Sequence, residues 1–94
     1  MPNTLSRMEV VVNGKVQGVG FRRYVEKEAA RIDVKGFTEN LDDGRVRVVA
    51  EGFKSQLEEL LKKVELGPRF SEVEECATEW HDFKNEFEGF SVKR

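Results

Sequence analysis

A glycine-flexible turn runs directly into cationic residues at Gln17-Gly18-Val19-Gly20-Phe21-Arg22. Gly18 and Gly20 let the chain curl until successive amide N–H groups converge, and Arg22 brings a guanidinium to the same place. Converging amides and a guanidinium suit a phosphate-sized anion. From Phe21 onward the pattern is helical, so Arg22 and Arg23 fall in a first turn, where a cation opposes the positive end of the helix dipole. A residue that is locally wrong calls for compensation, often functional. The alternative is a tight strand-to-helix connection whose glycines serve backbone geometry alone.

Two phosphate-loop patterns are excluded. A dinucleotide fingerprint needs a third glycine where Arg23 stands, and a Walker loop needs Gly-Lys followed by Ser or Thr where Gly20 is followed by Phe21 and Arg22. A second polar candidate, Asn40, ends a β-prone segment just before Asp42-Asp43-Gly44. Its amide can bond to nearby backbone, as amides before turns commonly do. It can also orient a water, because it carries both a donor and an acceptor. Cys76 reads as a small core residue and His81 as a solvated one. Neither is taken as catalytic.

Positioning these residues requires a fold. Met8 to Asn13 is valine-rich and reads as a strand; Phe21, Val25, Ala29 and Ile32 make one helical stripe that ends near Asp33. Val34 to Asn40 and Arg45 to Glu51 flank the Asp-Asp-Gly turn as a hairpin. Leu57, Leu60, Leu61 and Val64 stripe a second helix between Phe53 and Leu66, closed by Gly67-Pro68. Val73 to Trp80 reads as a strand, and Phe87, Phe90 and Val92 as a closing strand after the polar 82–86 loop. This order predicts an α+β, ferredoxin-like βαββαβ sandwich, an antiparallel sheet with two helices on one face.

Length and charge limit the rest. Ninety-four residues suffice for one domain, taken as 1–94 with residues 1–7 as a flexible N-terminus. Sixteen Lys and Arg against 18 Asp and Glu leave a net charge of −2, which disfavours a nucleic-acid or anionic-membrane partner. Anion binding must therefore be local. One cysteine permits no internal disulfide, one histidine permits no His-rich metal cluster, and no apolar stretch approaches the roughly 20 residues of a membrane span. A monomer in a reducing cytoplasm is the expectation.

The residues Val12-x-Gly14-x-Val16-Gln17-Gly18-Val19-Gly20-Phe21-Arg22, then Gly36-Phe37-Thr38-Glu39-Asn40 and Asp43-Gly44-Arg45-Val46, resemble the acylphosphatase family. The resemblance runs from about Met8 to Gly52 and weakens toward Gly67-Pro68 and Phe90-Ser91-Val92. It implies hydrolysis of the carboxyl-phosphate bond of acyl phosphates with no metal and no cofactor. It also implies that Arg22 and the amides of Gln17, Gly18, Val19, Gly20, Phe21 and Arg22 bind the phosphoryl group, a place that phosphate or sulfate would also fill, while Asn40 positions the attacking water. Two positions depart from the family's usual pattern: Glu39 replaces a common basic residue, and Asp33 a frequent glycine. Strand alternation turns Glu39 away from the face of Asn40, and Asp tolerates a left-handed backbone better than most residues.

Two rivals remain: a non-catalytic phosphate- or effector-binding module on the same fold, and an RNA-binding sheet. The second needs aromatic residues on its strands, and Met8 to Asn13 and Arg45 to Glu51 hold none.

Overall fold

Alternation along the valine-rich segments decides which face of the sheet is buried, and the helices follow it. The computed structural model describes residues 3–93. The elements are β1 (Leu5–Lys15), α1 (Phe21–Ile32), β2 (Lys35–Asn40), β3 (Val46–Phe53), α2 (Lys54–Leu66), β4 (Glu72–Asp82) and β5 (Phe90–Lys93). Met8, Val10 and Val12 of β1 pair across from Ala50, Val48 and Val46 of β3. All six are fully buried, together with Phe21, Val25 and Ala29 of α1 and Leu57, Leu60 and Val64 of α2. Both helical stripes therefore lie on this one face.

The sheet order is β4-β1-β3-β2-β5. Its first four strands pair antiparallel, as the ferredoxin-like order requires. β5 differs: it lies parallel to β2, Gly36 opposite Phe90 through Glu39 opposite Lys93, so the sheet is mixed rather than antiparallel throughout. The free edge beside β2 accepts it because the connection from β4 crosses the open face of the sheet and returns in the direction of β2.

The N-terminus also departs from expectation. Residues 1 and 2 lie outside the described residues, but Leu5, Ser6 and Arg7 already pair in β1. Thr4 O accepts the Lys54 N–H at 2.8 Å, and Asn3 exchanges hydrogen bonds with Ser55. The apolar alternation is silent there because these residues are held by main-chain pairing and polar contacts to α2. Between the helices, Gln56 of α2 accepts from Phe53 N at 3.0 Å and donates to Ile32 O at 3.0 Å, joining the start of α2 to the end of α1. Asp33 caps α1 with φ of 70°, a left-handed conformation that Asp tolerates better than most residues. Among the described residues, no helix is long and apolar enough to cross a membrane.

Candidate functional site

Val16 and Phe21 are each only 1% exposed, so the loop between them is anchored in the core at both ends. Gly18 and Gly20 adopt φ of 75° and 76°, values that L side chains rarely take. A Cβ at either would meet no atom within 4 Å, so the backbone angle, and not space, demands glycine. Gly20 is the N-cap of α1, with no side-chain cap and no acidic residue in the first turn. The first amides of α1 thus lack an acidic or capping partner beside two cationic side chains, the combination that attracts an anion.

Arg22, Arg23 and Glu26 from α1, Gly18 and Gly20 from the loop, and Asn40 from β2 line one cleft of about 500 Å³. Val16 and Phe21 form its floor, and Ser91 and Val92 of β5 border it. Asn40 reaches this side because it pairs with Val46, whose side chain enters the core, and residues paired across a ladder share a face. Arg22 Nη1 donates to the carbonyl oxygen of Lys93 at 3.0 Å. Among the described residues its other N–H groups have no hydrogen-bond partner, and they can serve another acceptor.

The structure brings Gly18, Gly20, Phe21, Arg22 and Asn40 together. The Val19 side chain packs against the core, so only its main chain can face the cleft. The Gln17 side chain does not line the cleft either: its Nε2 donates to Leu41 O at 2.8 Å and to Arg45 O at 2.9 Å, reaching the turn between β2 and β3. Glu39 turns to the opposite face, where its carboxylate accepts from Arg47 at 3.2 Å; Arg47 also binds Glu9 at 2.8 Å. Sequence reasoning noted Arg23 only as a second first-turn cation and did not place Glu26, Ser91 or Val92 at the site. Glu26 follows Arg22 by one helical turn, a signal that was available; nothing local announces Ser91 and Val92, which arrive through the parallel pairing of β5. Among the described residues, no group of three or more His, Cys, Asp or Glu is placed to hold a metal ion.

The family model described as acylphosphatase matches residues 8–92. An acylphosphatase of Salinibacter ruber is 44% identical over 91 residues, covering 97% of this chain and 96% of that protein. One of Thermus thermophilus is 45% identical over 76 residues, covering 81% of this chain and 86% of that one. The crystal structure of acylphosphatase from Bacillus subtilis superposes with a TM-score of 0.91 at 34% identity, over 97% of this chain and 100% of that chain. With the glycine loop, Arg22 and Asn40 meeting in one cleft of a ferredoxin-like sandwich, the chain belongs to the acylphosphatase family.

Proposed function

We infer that the chain hydrolyses the carboxyl-phosphate bond of small acyl phosphates to carboxylate and phosphate. The observation that carries this is the meeting of Arg22, the loop amides and Asn40 in one cleft, although they come from separate elements. The Gln17 to Arg22 amides and the Arg22 guanidinium hold the phosphoryl oxygens, where charge is concentrated in the transition state. Asn40 aligns a water for in-line attack on phosphorus. The carboxylate leaves unprotonated, since its conjugate acid has a pKa of about 4, so no general acid is required. Positioning and electrostatic stabilisation then supply most of the catalysis.

An alcohol leaving group needs a proton donor, which the loop amides, Arg22 and Asn40 do not supply, so phosphate monoesters are expected to be poor substrates. The same donors accept free phosphate or sulfate, no metal enters the reaction, and the chain acts as a monomer. In this reading the protein works in a reducing, cytoplasmic setting, where the lone Cys76 stays a thiol.

The test is hydrolysis of a small acyl phosphate, with a phosphate monoester as control, for the parent, Arg22→Ala and Asn40→Ala. Arg22→Ala is expected to weaken phosphate binding, and Asn40→Ala to lower kcat by about 100-fold or more with little change in phosphate affinity. A folded parent that binds phosphate but leaves the acyl phosphate intact would replace this reading with a non-catalytic binding module.

A further inference from the structure

The face of the sheet opposite the helices carries charges that play no part in the cleft, and one of them is deeply buried. Glu51, in β3, is 3% exposed. Its carboxylate accepts the backbone N–H of Lys84 at 2.6 Å and of Glu86 at 2.9 Å, and lies 3.5 Å from Arg7 Nη1. Arg7, itself 7% exposed, also pairs with Glu86 and stacks over the ring of Phe87. A carboxylate withdrawn from water needs such compensation. Here the compensating donors are main-chain groups of the connection between β4 and β5, so the grip does not depend on which side chains stand at positions 84 and 86.

That connection leads directly to the cleft. Phe87 packs edge-on against Phe37 of β2, with ring centres 5.8 Å apart. Gly89 O accepts from Gly36 N at 3.0 Å, and β5 then runs beside β2. Its final described residue, Lys93, supplies the carbonyl that holds Arg22. β5 has only four residues and lies at the edge of the sheet. So short a strand owes its placement to what fixes it at either end.

We propose that Glu51 is a positioning residue for phosphoryl binding, acting through the backbone of the β4–β5 connection and β5 on the Arg22 guanidinium. The proposal rests on the reading of Arg22 as the phosphoryl ligand. Glu51→Gln keeps the size of the side chain but removes the charge and one acceptor oxygen, so the segment loosens. A role confined to stability would lower the unfolding midpoint without changing phosphate affinity in the folded protein.

The experiment measures the dissociation constant of inorganic phosphate and the kinetics on a small acyl phosphate at neutral pH for the parent, Glu51→Gln, Arg22→Lys and the double variant. Temperatures are chosen at which circular dichroism shows each to be folded. Glu51→Gln is expected to raise the phosphate dissociation constant and KM by about fivefold or more, with kcat within about twofold. In the Arg22→Lys background the same change should have a clearly smaller effect, because the guanidinium it positions is gone. Unchanged phosphate affinity in folded Glu51→Gln, or an equal effect in both backgrounds, overturns the proposal. Coupling is reciprocal, so in the parent saturating phosphate should slow hydrogen exchange at the Lys84 and Glu86 amides; no slowing overturns the proposal even if Glu51→Gln fails to fold. A parent that neither binds phosphate nor cleaves the acyl phosphate takes down the reading of the cleft itself, and this proposal with it.

Discussion

Gln17 donates from Nε2 to the carbonyl oxygen of Leu41 at 2.8 Å, across 24 positions of sequence, and so ties the glycine loop to the residue that follows Asn40. The second Nε2 hydrogen reaches Arg45 O at 2.9 Å. One amide thereby spans the turn between β2 and β3, and the two halves of the cleft share a brace. The Gln17 side chain thus works one layer behind the loop to which its backbone belongs.

Gln17→Met preserves length and removes both donors. Leu41 O still accepts from Gly44 N at 3.2 Å and Arg45 O from Leu41 N at 2.8 Å, so neither carbonyl is orphaned. The expected loss of stability is therefore only about 1 kcal/mol, measured by urea unfolding. The expected effect on kcat is larger, about tenfold, with the phosphate inhibition constant unchanged within about twofold, because the brace acts on Asn40 while the loop amides stay in place. A matching rise in the inhibition constant would show that the brace holds the anion cradle instead.

Glu39 faces Arg47 on the far side of the sheet, with side chains 27% and 35% exposed. Glu39→Gln should leave KM and kcat within about twofold of the parent and change stability by less than about 1 kcal/mol. A severalfold fall in KM would mean that the charge reaches the cleft through the sheet.

Acid should destabilise the fold through two carboxylates on that same face. For Glu51, burial pushes the carboxyl up, but the N–H groups of Glu86 and Lys84 and the charge of Arg7 together outweigh it and hold it below the usual 4.5. For Glu9, the hydrogen bond from Arg47 is the leading cause of a shift in the same direction. Each group binds its proton less readily folded than unfolded, so its stabilisation is complete above the unfolded value of 4.5 and is lost as pH falls through the lower folded value. Unfolding midpoints measured from neutral pH downward should fall in that window. Glu51→Gln should be less stable at neutral pH and show a shallower acid loss; a parallel curve would remove Glu51 from the explanation.

Cys76 has its thiol pushed up to about 11, mainly by burial, with Glu65 and Glu75 adding to it. Only the thiolate alkylates readily, so at about pH 8 the folded protein should react with iodoacetamide about 100-fold more slowly than a urea-unfolded sample. Equal rates would place this cysteine in contact with solvent.

Much of this was legible along the chain. Phe21, Val25, Ala29 and Ile32 fall on one helical face whatever surrounds them, and the Asp42-Asp43-Gly44 turn joins its two strands by local geometry alone. The left-handed loop glycines and the arginine after them are equally local. Alternation was enough to turn Glu39 away from Asn40. It was silent on Leu5 to Arg7, where main-chain pairing and the burial of a charged side chain replace the apolar signal.

The sequence by itself therefore determined most of the elements, though not the start of β1 at Leu5 or of β5 at Phe90, together with the buried face and the chemistry available at the first loop, because each depends on residues within a few positions of one another. The tertiary structure alone decided that β5 lies parallel to β2, that the Gln17 side chain turns from the anion loop to the hairpin, and that Arg22 finds its acceptor at Lys93. A period of two states which face a residue takes, but it carries no information about which sheet edge is free. Contacts such as Arg22 with Lys93, 71 positions apart, exist only once that edge has been chosen.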